Sequence, residues 1–136
     1  MDVCHQLDNK QMEQLHALYQ CESWSAGRSL EETQIAVKNS QLCFALVDGE
    51  KNLVAFARVL TDYIFKALIF DVIVDGKYRG RGLGNTLVMT IKNYSRLSQV
   101  KHFELYCLPE LHDFYGKHGF TLNVSDMRLM RYDRKE

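Results

Sequence analysis

The sequence predicts one α/β domain, layered as in α+β proteins, with elements in the order β-α-α-β-β-β-α-β-α-β. Three observations carry this. The apolar run Leu68–Val74 leads through a glycine-rich loop into an amphipathic helix starting at about Leu83. Two helix-capping signals stand in the first thirty or so residues. Between those helices and the glycine loop lie strand-like runs joined by a turn that begins Asp48-Gly49.

Taken in order, Val3–Leu7 reads as a short first strand. Asp8 or Asn9 then caps a helix whose apolar face is Met12, Leu15, Leu18 and Tyr19. Ser29-Leu30-Glu31-Glu32 is a capping box, opening a second helix that ends near Asn39. Leu42–Val47, Leu53–Leu60 and Lys66–Val74 are the next three strands. The helix after the glycine loop buries Leu83, Leu87, Ile91 and Tyr94. A strand over His102–Leu108 follows, then a short helix from Glu110 to Lys117 closed by Gly119. A final strand is expected within Met127–Asp133.

Composition sets limits on function. The 136 residues suit a single core over 1–136, and 46% of them are apolar. No apolar run approaches the ~20 residues of a membrane span, and no signal peptide is expected. Lys plus Arg and Asp plus Glu balance at 17 each, which argues against a nucleic-acid partner. Cys4, Cys21, Cys43 and Cys107 lack ligand spacing and read as reduced thiols in a cytoplasmic protein, with no metal site.

Arg79-Gly80-Arg81-Gly82-Leu83-Gly84 is the most informative stretch. Three glycines let the backbone curl so that several amides face one hollow, and the helix behind adds its positive end. Such a loop suits phosphate, and arginines can add forked hydrogen bonds. The alternative is a loose turn. A nucleoside-triphosphate loop needs Gly-Lys-Ser/Thr, but Gly84 is followed by Asn85-Thr86. A dinucleotide loop needs G-x-G-x-x-G, and these glycines fall as G-x-G-x-G.

What remains is R-x-x-G-x-G within Ile73–Gly84, which resembles the acetyl-CoA signature of the GNAT superfamily of N-acetyltransferases. Phe114-Tyr115-Gly116-Lys117-His118-Gly119-Phe120 resembles that superfamily's second signature, F-Y-x-K-x-G-F. The two lie in the family's order and spacing. The resemblance implies a central mixed sheet, helices on both faces, and a splay between strands four and five that admits pantetheine. It implies acetyl-CoA as co-substrate, with phosphate held by Arg79, Gly80, Arg81, Gly82, Leu83, Gly84 and Asn85. Ile73 and Val74 would pair with pantetheine, and the Val72 N–H would face the thioester oxygen from a bulged strand.

Acetyl transfer to an amine needs a proton acceptor, an oxyanion donor and a proton for the departing sulfur. The resemblance assigns the last task to Tyr115; the alternative is a core ring beside Phe114 and Phe120. Asp71 interrupts the apolar strand, where an unpaired carboxylate is costly. It is either a catalytic proton acceptor, an attractor for a cationic amine, or a support for a loop. Two departures from the family stand out. Phe70-Asp71 replaces a Glu-Asp pair seen in amino-sugar-phosphate enzymes, which weakens a sugar-phosphate acceptor. Leu108 replaces an asparagine that helps hold pantetheine. The acceptor pocket is expected from variable segments supplying Trp24, Arg28, Tyr63, Phe65 and Tyr106. Arg28 either meets an anionic substrate or pairs with Glu31 or Glu32. The expected function is acetylation of a primary amine on a small molecule. The alternatives are a protein lysine or N-terminal acetyltransferase and a non-catalytic acyl-CoA-binding domain; a homodimer is left open.

Overall fold

The computed structural model describes residues 1–134. The chain forms two compact units, Met1–Tyr106 and Cys107–Glu136. The first unit holds a five-stranded sheet in the order β1-β2-β3-β4-β5. Its strands are β1 (Asp2–Cys4), β2 (Leu42–Val47), β3 (Leu53–Thr61), β4 (Lys66–Val74) and β5 (His102–Glu104). The first four pair antiparallel, and β4 with β5 is parallel. The helices of this unit are α1 (Asn9–Gln20), α2 (Leu30–Lys38) and α3 (Leu83–Lys92). The second holds α4 (His112–Gly116).

Local chemistry accounts for the helix starts. Asp8 caps α1 by accepting from the Gln11 N–H, and the Gln11 side chain accepts from the Asp8 N–H in return. Ser29 and Glu32 form the same reciprocal pair at α2. Each cap satisfies amides that a helix start otherwise leaves open, worth about 1 kcal/mol.

Period-two alternation sorts β2 and β3 into two buried faces. Cys43, Ala45 and Phe56 pack with Leu15 and Tyr19 of α1. Phe44 faces the other way and meets Tyr94, just past α3, at 5.1 Å. Leu15 and Leu87 are fully buried, each stabilising by about 1.5–3 kcal/mol. Gln14 ties α1 to the β2–β3 turn, donating to Asn52 and accepting from the Leu53 N–H.

Several bounds differ from the sequence expectation. The first strand stops at Cys4; the next residue, His5, is exposed, and its Nδ1 lies 2.9 Å from the Cys43 carbonyl. The fifth strand pairs only to Glu104 rather than Leu108. The short helix after it opens with a 3₁₀ turn, Pro109–Leu111, before α4. No strand forms within Met127–Asp133, and a lone bridge joins Val124 and Asp126. Met127, Leu129, Met130 and Tyr132 are exposed there, so the alternating pattern has no neighbouring strand to pair with.

Candidate active site

Strand β4 carries the first part of the site. Phe56 pairs with Ile73 and Arg58 with Phe70, so Asp71 and Val72 together oppose Ala57. This is a β-bulge. Its first residue, Asp71, has φ 59°, a left-handed conformation rare for a side-chain-bearing residue inside a strand. The bulge bends β4 just past the last β4–β5 pair, Leu68 with Glu104. No β4–β5 pair follows Leu68 with Glu104, so the upper end of β4 has no ladder partner in β5. The splay expected between strands four and five falls at this point of the sheet.

The glycine loop follows directly. The Asp75 carboxylate accepts from the Lys77 N–H and starts a 3₁₀ turn, Gly76–Tyr78. Gly80 and Gly82 then take φ of 80° and 74°. A Cβ at either would meet no atom within 4 Å, so backbone conformation rather than space calls for glycine. Gly82 caps α3 without a side-chain hydrogen bond of its own, at the positive end of the helix. Arg81 lies over the Tyr78 ring at 5.2 Å. Arg79 reaches the α1–α2 link and pairs with Glu22 at 2.6 Å, an interaction the sequence did not suggest.

The Asp71 carboxylate is gripped from three elements. Its Oδ2 accepts from Tyr19 Oη at 3.0 Å, Arg28 Nη1 at 2.7 Å and Arg58 Nε at 2.7 Å. Its Oδ1 accepts from Arg28 Nη2 at 3.2 Å. Burial works to raise its pKa, but the hydrogen bonds and charges of Arg28 and Arg58 outweigh that and hold it below the usual carboxylate range. The Tyr19 phenol is pushed well up, first by burial and then by the Asp71 charge.

Arg28 therefore pairs with Asp71 rather than with Glu31 or Glu32. It precedes the α2 cap and turns toward the sheet, while Glu32 is committed to Ser29. Its guanidinium also lies 4.6 Å from the Tyr19 ring centre and 5.5 Å from that of Trp24. Arg58 lies over Phe70 at 5.1 Å, and Phe70 meets Tyr106 edge-on at 5.9 Å. Trp24 and Tyr106 are about half exposed. Thus Trp24, Arg28, Asp71 and Tyr106 join one cluster. Tyr63 does not: its hydroxyl accepts from Arg96 at 3.0 Å, in the turn before β4. Asp71 is five residues up β4 from Lys66, or about 16 Å of strand. Phe65 shares that turn and sits under Lys101.

Sequence reading missed Arg58 and gave Tyr19 only a packing role. The signal was present: one cation and one anion interrupt two adjacent apolar strands.

In the second unit Tyr115 is buried on α4, with Phe114 at 4.8 Å and Phe120 at 5.9 Å. Gly119, at φ 90°, turns the chain so that the Phe120 N–H donates to the Tyr115 carbonyl. Burial first, and the neighbouring Cys107 next, push the Tyr115 phenol up to about 12. Burial also raises the Cys107 thiol, which argues against a reactive thiolate. Among the described residues no group of three or more His, Cys, Asp or Glu is placed to hold a metal.

The profile of the Acetyltransferase (GNAT) family matches residues 7–120. A putative acetyltransferase of the GNAT family from Xanthomonas campestris superposes with a TM-score of 0.80 at 31% identity, covering 98% of this chain and 94% of that one. The uncharacterized N-acetyltransferase ycf52 of Pyropia yezoensis is 31% identical over 106 residues, 76% of this chain and 61% of that protein. The histone acetyltransferase TAP1 of Glycine max is 29% identical over 113 residues, 76% of this chain and 49% of that protein. Other plant relatives carry the word chloroplastic in their names. The matched stretch spans at most about three fifths of these curated relatives.

Proposed function

Since the chain belongs to the acetyltransferase (GNAT) family, we propose that it transfers an acetyl group from acetyl-CoA to a primary amine of a small molecule. One observation carries the reading: the bulge at Asp71–Val72 falls where β4 and β5 part, and the glycine loop follows at once. On this reading the Val72 amide, the strand edge at Ile73 and Val74 and the start of α3 would follow one another along the path of the cofactor.

Acetyl-CoA supplies the acetyl group as an activated thioester. The residues present fit it. Backbone amides from Arg79 to Asn85 would meet the pyrophosphate, and the left-handed glycines would leave that backbone uncovered. Ile73 and Val74 would offer their strand edge to pantetheine amides, as an added strand would. The Val72 N–H would donate to the carbonyl oxygen as it gains charge. The amine forms its bond to the carbonyl carbon as the C–S bond breaks. The amine's surplus proton leaves to water, and the Tyr115 hydroxyl donates to the departing sulfur. Half-exposed Trp24 and Tyr106 beside the buried charges suit an acceptor with an apolar or aromatic body.

A protein acceptor is the second reading, favoured by the likeness to a histone acetyltransferase. Cytoplasmic placement belongs to the proposal; among the described residues no helix is long and apolar enough to cross a membrane. Thiol release from acetyl-CoA across a panel of amines and peptides tests both. Turnover of small amines above peptides is expected. Turnover of peptides alone would favour the second reading, and acetyl-CoA binding without turnover of either would leave a binding domain.

A further inference from the structure

A side chain at φ 59° inside a strand is strained and persists only where its surroundings hold it. Asp71 is held by its own carboxylate. Only 6% of that side chain is exposed, and it receives four hydrogen bonds from α1, the α1–α2 link and β3. Oδ2 alone accepts three of them. A carboxylate so occupied has little capacity left for a substrate proton. The donors converge on Asp71, the residue that opens the bulge, next to Val72, which completes it.

We propose that Asp71 is a positioning residue and not the proton acceptor. Tyr19, Arg28 and Arg58 clamp its carboxylate, the clamp holds the left-handed bulge, and the bulge aims the Val72 N–H at the thioester oxygen. This rests on the acetyltransferase reading above. Arg58 and Tyr19 thereby affect the chemical step without touching substrate. The clamp also fixes the α1–α2 link, because Arg28 belongs to it and the Arg28 carbonyl accepts from Gln20.

Glycine gives the discriminating variant, since it adopts φ near 60° without penalty. Asp71→Ala removes both the carboxylate and the tolerance for that φ; Asp71→Gly removes the carboxylate alone. Single-turnover acetyl transfer and acetyl-CoA affinity should be measured for both, with Arg58→Ala, Arg58→Lys and Tyr19→Phe. Asp71→Ala should slow the chemical step by up to about 100-fold, the scale of a lost oxyanion donor, with affinity little changed. Asp71→Gly should recover much of that loss. Arg58→Ala should be slow, and Arg58→Lys faster than it. The acidic limb of the pH–rate profile should stay in place throughout.

Equal loss in Asp71→Gly and Asp71→Ala, with the acidic limb abolished in both, would make Asp71 the base and overturn the proposal. Backbone NMR of the full chain reads the bulge without any acceptor. Arg58→Ala, or Tyr19→Phe if that variant does not fold, should move the Val72 amide resonance and the Asp71 HN–Hα coupling. An unmoved Val72 amide in a folded clamp variant would overturn the clamp. A wild-type chain that acetylates no amine, yet shows the NMR shift, would instead overturn the acetyltransferase reading and leave the clamp standing.

Discussion

Tyr115→Phe removes one oxygen from a buried ring and leaves its contacts with Phe114 and Phe120 in place. Its expected effect can be worked from the phenol's surroundings. Burial raises the pKa to about 12, against ~8.5 for an ordinary thiol. Full proton transfer to sulfur would then be uphill by about 5 kcal/mol at 1.36 kcal/mol per unit. The hydroxyl is better suited to hydrogen-bond the sulfur as charge gathers there, and water can complete the protonation. A hydrogen bond to a charged partner contributes about 1.5–3 kcal/mol, or roughly 10- to 150-fold in rate. Quenched single-turnover measurements should show that loss in the acetyl-transfer step, because product release can hide it in kcat. Calorimetry should show acetyl-CoA affinity within about 3-fold of wild type, a difference of under 1 kcal/mol. The phenol stays protonated below about 12, so Tyr115 should impose no alkaline limb between pH 7 and about 10. An unchanged chemical step in folded Tyr115→Phe would refute the role and leave Tyr115 as a packing ring. An alkaline limb in that range, removed by the substitution, would refute the pKa reasoning.

Two further predictions concern the first unit. Gly82→Ala meets no steric neighbour, so its whole cost is the left-handed backbone at φ 74°, about 1–2 kcal/mol. Calorimetry should show acetyl-CoA binding weakened by up to about 30-fold, with the helix otherwise intact; unchanged affinity and stability together would remove the loop from the site. Asp71 predicts an acid dependence. Its folded pKa lies below the unfolded value, so its contribution is fully present above the ordinary carboxylate range and is lost as pH falls through the folded value. Chemical denaturation of wild type and Asp71→Asn should differ by about 3 kcal/mol at pH 7, with the gap narrowing below pH ~4. A gap that does not change with pH would mean the ion pairs contribute nothing net.

The legible and illegible parts of this chain divide by the range of the interactions involved. Asp8 and Ser29 could be read as caps because each bonds an amide three residues away. The glycine loop could be read because positive φ is a property of single residues. Strands β2, β3 and β4 were legible because their apolar runs have definite ends. The expected strand within Met127–Asp133 failed for the complementary reason: a strand pattern states a capacity to pair, and pairing needs a neighbour that local sequence does not supply. The same limit hid the end of β5, whose last pair is with Leu68 of β4, more than thirty residues earlier.

The Asp71 clamp is the sharpest instance, since its donors lie 52, 43 and 13 residues away. A lone acid in an apolar strand was visible and rightly marked as needing a partner. Its partner's identity decides its chemistry. Free, or facing an amine, it would be a base; clamped by two guanidinium groups and a phenol, it becomes part of the backbone's support. Arg58 could have tipped that choice, because a cation within the apolar run of β3 also calls for a partner. When the interiors of two adjacent strands each carry one charge of opposite sign, pairing across the ladder is the cheapest solution for both. The acid so paired is better suited to holding geometry than to moving protons.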